Sequence, residues 1–287
     1  MHQTVLVVGA GTMGSGIAEV AARAGLAVRL YDVTRERGLA GLEAVRRSLD
    51  RGVAKAKLSR TEADEVLARI EVVEQLRATD CSAVFEAVSE NIQLKKELFA
   101  QLSEQAPRAL LASNTSSLSI TEVAAATAAP DRVVGMHFFN PAPIMDLLEI
   151  VMAVQTSPAS LDQARQLAER FGKTPIVVRD VAGFATSRLG ILLGMEAIRM
   201  VETGVASAAD IDTAMELGYR HPMGPLKLTD LVGLDVRLAI AEHLAHELGP
   251  QFNPPPLLRT MVRAGRLGKK TGQGFYRWEG NQAHPVG

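Results

Sequence analysis

Gly9-Ala10-Gly11-Thr12-Met13-Gly14 stands between an apolar, β-branched run, Thr4 to Val8, and a small-residue segment of helical character, Met13 to Ala24. That placement constrains the fold more than any other feature of the chain. The backbone must turn sharply from strand to helix and keep side chains out of the turn. The first glycine permits the turn, the second lets a pyrophosphate approach the backbone, and the third lets helix and strand pack closely. The helix amino terminus that follows favours phosphate. Ala27 to Tyr31 reads as the next strand, with Asp32 at its end. A carboxylate there accepts hydrogen bonds from a ribose 2′-hydroxyl and repels a 2′-phosphate. Glycine is common in this chain (24 residues), so the motif draws its weight from this context. The reading is a dinucleotide site favouring NAD over NADP, with Arg35 and Arg37 nearby tempering that preference.

The alternation continues beyond Asp32. Glu36 to Arg51 and Thr61 to Ala68 read as polar helices, Ala83 to Val88 as a strand, Ile92 to Glu104 as a helix and Ala109 to Ala112 as strand-like. Leu161 to Phe171 reads as a helix and Pro175 to Val178 as a last strand. Strand-helix-strand order of this kind builds a parallel sheet with helices on both faces. Near Gly183 the period changes. Leu189, Leu192, Leu193, Ala197 and Met200 share a helical face, and further helices follow at Ser207 to Leu217 and Leu234 to Leu248. Pro254-Pro255-Pro256 reads as a stiff local turn. The expected architecture is α/β: a Rossmann-type, doubly wound, mainly parallel sheet in residues 1–182, then an all-helical C-terminal domain in residues 183–287. A chain of 287 residues suits two domains, at roughly 150 residues each.

The charge balance of 31 basic against 32 acidic residues argues against partners held by charge, nucleic acid and membrane surfaces among them. Aromatic residues make up only 4%, too few for base-stacking platforms. The single cysteine, Cys81, excludes an intrachain disulfide and reads as a small apolar core residue. Met1 to Gly9 runs straight into a strand without a signal-peptide pattern, and no run of about 18 apolar residues occurs. A soluble, cytoplasmic protein is expected. His2, His243, His246 and His284 have no metal-ligand spacing with other residues, so no metal is expected.

His137 is the leading candidate for chemistry. It lies in Gly135-Met136-His137-Phe138-Phe139-Asn140-Pro141, with Glu149 twelve positions on. Arg132 to Phe139 reads as a strand, Pro141-Ala142-Pro143 as a turn, and Leu147 to Val154 as a second strand able to bring Glu149 to His137. An imidazole held by a carboxylate is a proton-transfer device tuned near neutral pH. The blander alternative makes His137 a core histidine and pairs Glu149 with an arginine.

Taken with Gly9 to Gly14, the motifs Ala112-Ser113-Asn114-Thr115-Ser116-Ser117, Gly135 to Pro141, His221-Pro222-Met223-Gly224-Pro225, Gly268-Lys269-Lys270-Thr271-Gly272 and Gly274-Phe275-Tyr276 resemble the L-3-hydroxyacyl-CoA dehydrogenase family, its short-chain 3-hydroxybutyryl-CoA members above all. The resemblance spans nearly the whole chain. It implies an NAD domain, a helical C-terminal domain that makes a homodimer, and an active site in the cleft between the domains. It assigns the catalytic histidine to His137, its paired glutamate to Glu149 and the active-site serine to Ser116. Cofactor contacts fall on Gly9, Ala10, Gly11, Thr12, Met13, Gly14, Asp32, Glu90, Lys95, Asn114, Asn140 and Lys270. Acyl-CoA contacts fall on Ser48 and Lys55, with Lys95 and Ser116 joining them.

Two positions depart from the family pattern. In Gly183-Phe184-Ala185-Thr186-Ser187-Arg188, Ser187 replaces an asparagine that positions substrate. A hydroxyl is shorter and lacks the amide's separate donor and acceptor ends. Asp146 stands where a lysine is common. Both bear on the substrate more than on the reaction class. The expected reaction is NAD-dependent oxidation of the 3-hydroxyl of a short-chain L-3-hydroxyacyl-CoA. The alternatives are a same-fold dehydrogenase acting on a CoA-free hydroxy acid or aromatic alcohol or aldehyde carboxylate, and a non-enzymatic NAD sensor. Three residues keep bland readings: Ser116 as the cap of a helix starting near Ser119, and Ser48 and Lys55 as solvated surface.

Overall fold

The computed structural model describes residues 3–286 and divides into two compact units, 1–181 and 182–287. The first unit runs β1 (Thr4–Val8), α1 (Thr12–Arg23), β2 (Ala27–Tyr31), α2 (Arg35–Ala54), α3 (Arg60–Ala68), β3 (Ile70–Val73), β4 (Ala83–Glu86), α4 (Ile92–Gln105), β5 (Leu110–Ser113), α5 (Ile120–Ala125), β6 (Val133–Phe138), β7 (Leu147–Met152), α6 (Pro158–Arg170) and β8 (Thr174–Arg179). The strands form one sheet in the order β3-β2-β1-β4-β5-β6-β7-β8. Pairing is parallel from β3 across to β6, antiparallel between β6 and β7, and parallel again between β7 and β8. Chain order reverses at β1, which lies between β2 and β4. In open α/β sheets ligands bind beyond the carboxyl ends of the strands at such a reversal.

Local sequence explains the elements. β1 and β4 are central and almost wholly buried, as strands covered on both faces must be, and both are apolar runs. Thr34 caps α2, Ser59 and Glu62 form a capping box on α3, Asn91 caps α4, and Ser157 caps α6 with Pro158 in its first turn. Strand β3, absent from the sequence reading, is a four-residue edge strand with Glu71 exposed, too short to announce itself by period. Strand β4 stops at Glu86 rather than Val88, because the Val88 N–H turns back to the Glu86 carboxylate at 2.7 Å. Strand β7 stops at Met152, and Val154 is 87% exposed. Cys81 is buried in this unit, and burial pushes its thiol above the ordinary range.

The second unit comprises α7 (Thr186–Glu202), α8 (Ala208–Thr213), a π-helical turn at Ala214–Gly218, α9 (Pro225–Val232), α10 (Leu234–Leu248), α11 (Pro256–Arg263) and a hairpin of β9 (Tyr276–Glu279) and β10 (Gln282–Pro285). It is helical, with that hairpin as an addition to the all-helical expectation. Helix α7 buries Ile191, Met195 and Ile198, while Leu189 of the expected stripe is 69% exposed. The helix is apolar on more than one side, so period alone did not choose the face. Pro256 of the proline run opens α11, where its missing N–H costs nothing.

Two buried aspartates organise this unit. Asp212 accepts the Leu226 and Lys227 N–H groups at the start of α9 and the Tyr276 hydroxyl. Asp230 accepts the Phe275 and Tyr276 N–H groups and the Trp278 indole N–H, each at 2.9 Å. Burial pushes the Asp230 carboxyl up from the ordinary aspartate range, against these bonds. Asp230→Ala leaves buried donors unpaired, at about 1–3 kcal/mol each. The expected loss is at least ~2 kcal/mol in urea unfolding followed by fluorescence of Trp278, the chain's one tryptophan. An unchanged midpoint would contradict this account of the hairpin.

Candidate active site

The loop after β1 is built by glycine geometry. Gly9 has φ +97°, and a Cβ there would lie 2.6 Å from the Ala87 carbonyl oxygen. A Cβ on Gly14 would lie 1.7 Å from the Gly9 oxygen, so helix and loop close only around a bare residue. Gly11 caps α1 with open space where a side chain would be, no side chain caps the helix, and no acidic residue stands in its first turn. The first-turn N–H groups and the positive end of the helix therefore suit a phosphate. Asp32, after β2, accepts the Ala10 N–H at 2.7 Å and the Val33 N–H at 2.8 Å, which fixes its carboxylate beside the loop. Arg37 lies 3.4 Å from it. Ala10, Thr12 and Met13 complete the loop and the start of α1, with Thr12 exposed. These residues fit NAD. Sequence reasoning passed over Gly41, on α2, whose Cβ would fall 2.6 Å from the Ala10 oxygen. Its signal was a glycine inside a helix, which costs about 1 kcal/mol against alanine and calls for a packing reason.

A second cluster gathers at the ends of β4 and β5. Glu86, at the end of β4 and fully buried, accepts from the Lys95 ammonium at 2.6 Å, the Ser113 hydroxyl at 2.6 Å and the Val88 N–H. The Lys95 ammonium also lies 3.5 Å from Glu90. Glu90 in turn accepts from the Thr115 hydroxyl at 2.5 Å, the Ser116 N–H at 3.1 Å and the Ser116 hydroxyl at 3.4 Å. Lys95 is 1% exposed, so its reach is to Glu86 and Glu90 rather than to solvent. Asn114 accepts the Phe138 N–H at 2.8 Å and ties this loop to β6. Ser116 is not the cap of α5: Ser119 is, accepting the Glu122 N–H. Glu86 was missed by sequence reasoning, its one signal being a carboxylate ending an apolar strand.

His137 and Glu149 are register partners on antiparallel β6 and β7. Directly opposed residues meet side by side, and the imidazole Nδ1 lies 2.8 Å from Glu149 Oε2. Glu149 is fully buried and His137 8% exposed, with the Phe139 ring centroid 4.5 Å from the imidazole's. The carboxylate thus meets the histidine that the sequence reading set beside it. The turn between the strands carries Asn140, which with Pro141, Ala142 and Pro143 forms one wall of a cavity of about 250 Å³. Ser15, Ser48 and Arg51 line the other side. Lys55 is the exposed C-cap of α2 and does not line it.

Ser187 and Lys270 belong to the second unit. Ser187 is half-buried in the first turn of α7, and Lys270 is exposed and paired with Asp235 at 2.7 Å. His246 pairs with the adjacent Glu247, and among the described residues no group of three His, Cys, Asp or Glu could hold a metal ion. His2 lies outside the described residues. Among them no helix is long and apolar enough to cross a membrane.

Residues 4–181 match the family model "3-hydroxyacyl-CoA dehydrogenase, NAD binding domain", and residues 183–278 match "3-hydroxyacyl-CoA dehydrogenase, C-terminal domain". The chain belongs to the 3-hydroxyacyl-CoA dehydrogenase family. It is an NAD-dependent oxidoreductase of that family. A Bacillus subtilis (strain 168) protein named "Probable 3-hydroxybutyryl-CoA dehydrogenase" is 47% identical over 278 residues, covering 96% of this chain and 97% of the relative. The crystal structure of FadB2 from M. tuberculosis superposes with a TM-score of 0.93 at 44% identity, covering 97% of this chain and 99% of the other. That of the (S)-3-hydroxybutyryl-CoA dehydrogenase PaaH1 from Ralstonia eutropha gives 0.92 at 41%, covering 97% and 100%.

The Glu86–Lys95 pair has a direct energetic test. Removing one partner of a buried ion pair costs about 3–5 kcal/mol, whereas replacing both is far milder. Glu86→Ala is expected to lose that much in guanidinium unfolding followed by circular dichroism, and the Glu86→Ala/Lys95→Met double variant to recover at least about half of it. Additive losses would show that the two charges do not depend on each other.

Proposed function

We propose that this chain interconverts a short-chain L-3-hydroxyacyl-CoA, such as 3-hydroxybutyryl-CoA, and the 3-oxoacyl-CoA, with His137 as general acid and base. The observation that carries the reading is the enclosed His137–Glu149 pair, Nδ1 to Oε2 2.8 Å, in a chain whose glycine loop and Asp32 fit NAD. Oxidation of a secondary alcohol to a ketone releases a hydride and a proton. NAD, when bound, supplies the hydride chemistry. The protein must move the proton and hold the carbon and oxygen in line.

With Nδ1 engaged by Glu149, His137 takes the hydroxyl proton at Nε2, and in the reverse direction the imidazolium returns it to the oxygen. Glu149 fixes the tautomer and stabilises the imidazolium. The Ser116 hydroxyl aligns the substrate oxygen, from a backbone that Glu90 holds through the Ser116 N–H. Lys95 acts through Glu90, with its own charge offset by Glu86. Asn114, Asn140 and Lys270 serve the cofactor, Ser48 and Lys55 the CoA, and Ser187 the substrate through its one hydroxyl. A homodimer through the helical domain and a cytoplasmic setting complete the reading. Exposed Leu228, Leu231, Val232 and Val236 on α9 and α10 support the dimer.

Initial rates of NADH oxidation with acetoacetyl-CoA test the assignment. His137→Ala is expected to lower kcat by about a hundredfold or more, with NADH affinity kept. Undiminished turnover overturns the role of His137. Acetoacetate without CoA should be a poor substrate, and reduction of acetoacetate as fast as the thioester would replace this reading with the CoA-free one.

A further inference from the structure

Lys173 is a charged residue enclosed in the first unit with no use in the chemistry above. It is 8% exposed, and its ammonium donates to two backbone carbonyls, Ala142 and Met145, each at 2.7 Å. Both acceptors lie in the turn that joins β6 to β7. Burial lowers the ammonium's proton affinity from the ordinary lysine range, Asp146 raises it, and Arg23, itself paired with Glu19, lowers it. Among the described residues its hydrogen-bond partners are these carbonyls, and no carboxylate hydrogen-bonds the ammonium. Two carbonyls are what compensate it.

The backbone of Lys173 is itself fixed. Helix α6 ends with Gly172 at φ +66°, and the Phe171, Gly172 and Lys173 N–H groups return to Leu167, Glu169 and Ala168. The next residue, Thr174, donates to the Asp146 carbonyl and opens the β7–β8 pairing. The lysine therefore spans from a rigid helix stop to the middle of the turn. The turn's own bonds are few: the Ile144 and Met145 N–H groups both reach the Pro141 carbonyl. On its other side, Ala142 meets α1 at Gly16, where even an added Cβ would lie 3.1 Å from the Ala142 methyl. Asn140 through Pro143 form one wall of the cavity that Ser48 lines.

We propose that Lys173 is a positioning residue: its ammonium clamps the Pro141–Met145 turn, and so sets the cavity wall against which the acyl-CoA binds. This rests on the dehydrogenase reading above for the identity of the ligand. A wall displaced by about 1 Å is enough to cost a hundredfold in a reaction that depends on alignment. The glycine loop and Asp32 have no bond to Lys173, and Ala142 and Met145 lie beyond Asn140 in the turn, so the clamp acts first on the part of the wall that Ser48 faces.

Lys173→Met and Lys173→Gln test it, the second retaining a neutral donor should the first not fold. The expected result is a KM for acetoacetyl-CoA raised at least about tenfold, with the NADH dissociation constant and the melting temperature of the folded variant serving as controls. Val177→Ala, on β8 and packed against the core, is the comparison for a purely structural loss. It is expected to lower the melting temperature without moving that KM. Unchanged KM in a folded Lys173 variant overturns the proposal, as does an equal rise in Val177→Ala. Amide hydrogen exchange gives a readout independent of substrate. The Ile144 and Met145 amides should exchange at least about tenfold faster in Lys173→Met, and unchanged protection there overturns the clamp even if the wild-type chain proves inactive on acyl-CoA.

Discussion

A carboxylate shut away from water needs a partner, and Glu149, fully buried in β7, has His137 opposite it. Much of the first unit serves that meeting. A sheet that stayed parallel would need a long crossover before its next strand. Here the chain instead reverses after Phe138 and sets β7 antiparallel to β6, so that two residues twelve apart become register neighbours. The reversal places the turn carrying Asn140 against α1 and α2, with which it lines one cavity. An acid–base pair and a cavity wall thus arise from one change of strand direction.

Buried charge recurs in both units, each time with a different remedy. Glu86 and Lys95 neutralise each other and add a hydroxyl and an N–H. Lys173 settles on two carbonyls. Asp212 and Asp230, in the second unit, draw on backbone N–H groups and ring donors. Single buried ions are costly enough that each must be compensated nearby, and that need links separate segments: α9 with the hairpin, and the end of α6 with the turn between β6 and β7.

The sequence made the glycine loop, Asp32 and the His137–Glu149 pair legible because their signals are local. Strand, turn and helix are adjacent, and a two-stranded turn brings near neighbours together. Glu86 and Lys173 were not legible for the opposite reason. Their partners come from other elements, and a lone glutamate or lysine has no spacing to read. The hairpin of β9 and β10 was missed in a stretch whose strands are four residues each and largely exposed. Ser187 and Lys270 were named through resemblance alone, and their surroundings in the second unit give them no hydrogen-bonded catalytic partner among the described residues.

The enclosed Cys81 has a practical consequence. It is the chain's one thiol, and it lies in the first unit, while the one indole, Trp278, lies in the second. A thiol held inside and kept protonated reacts with a disulfide reagent only when its surroundings open. The native chain thus carries a chemical clock in one half and an optical gauge in the other, and the order in which the halves unfold is readable without substituting any residue.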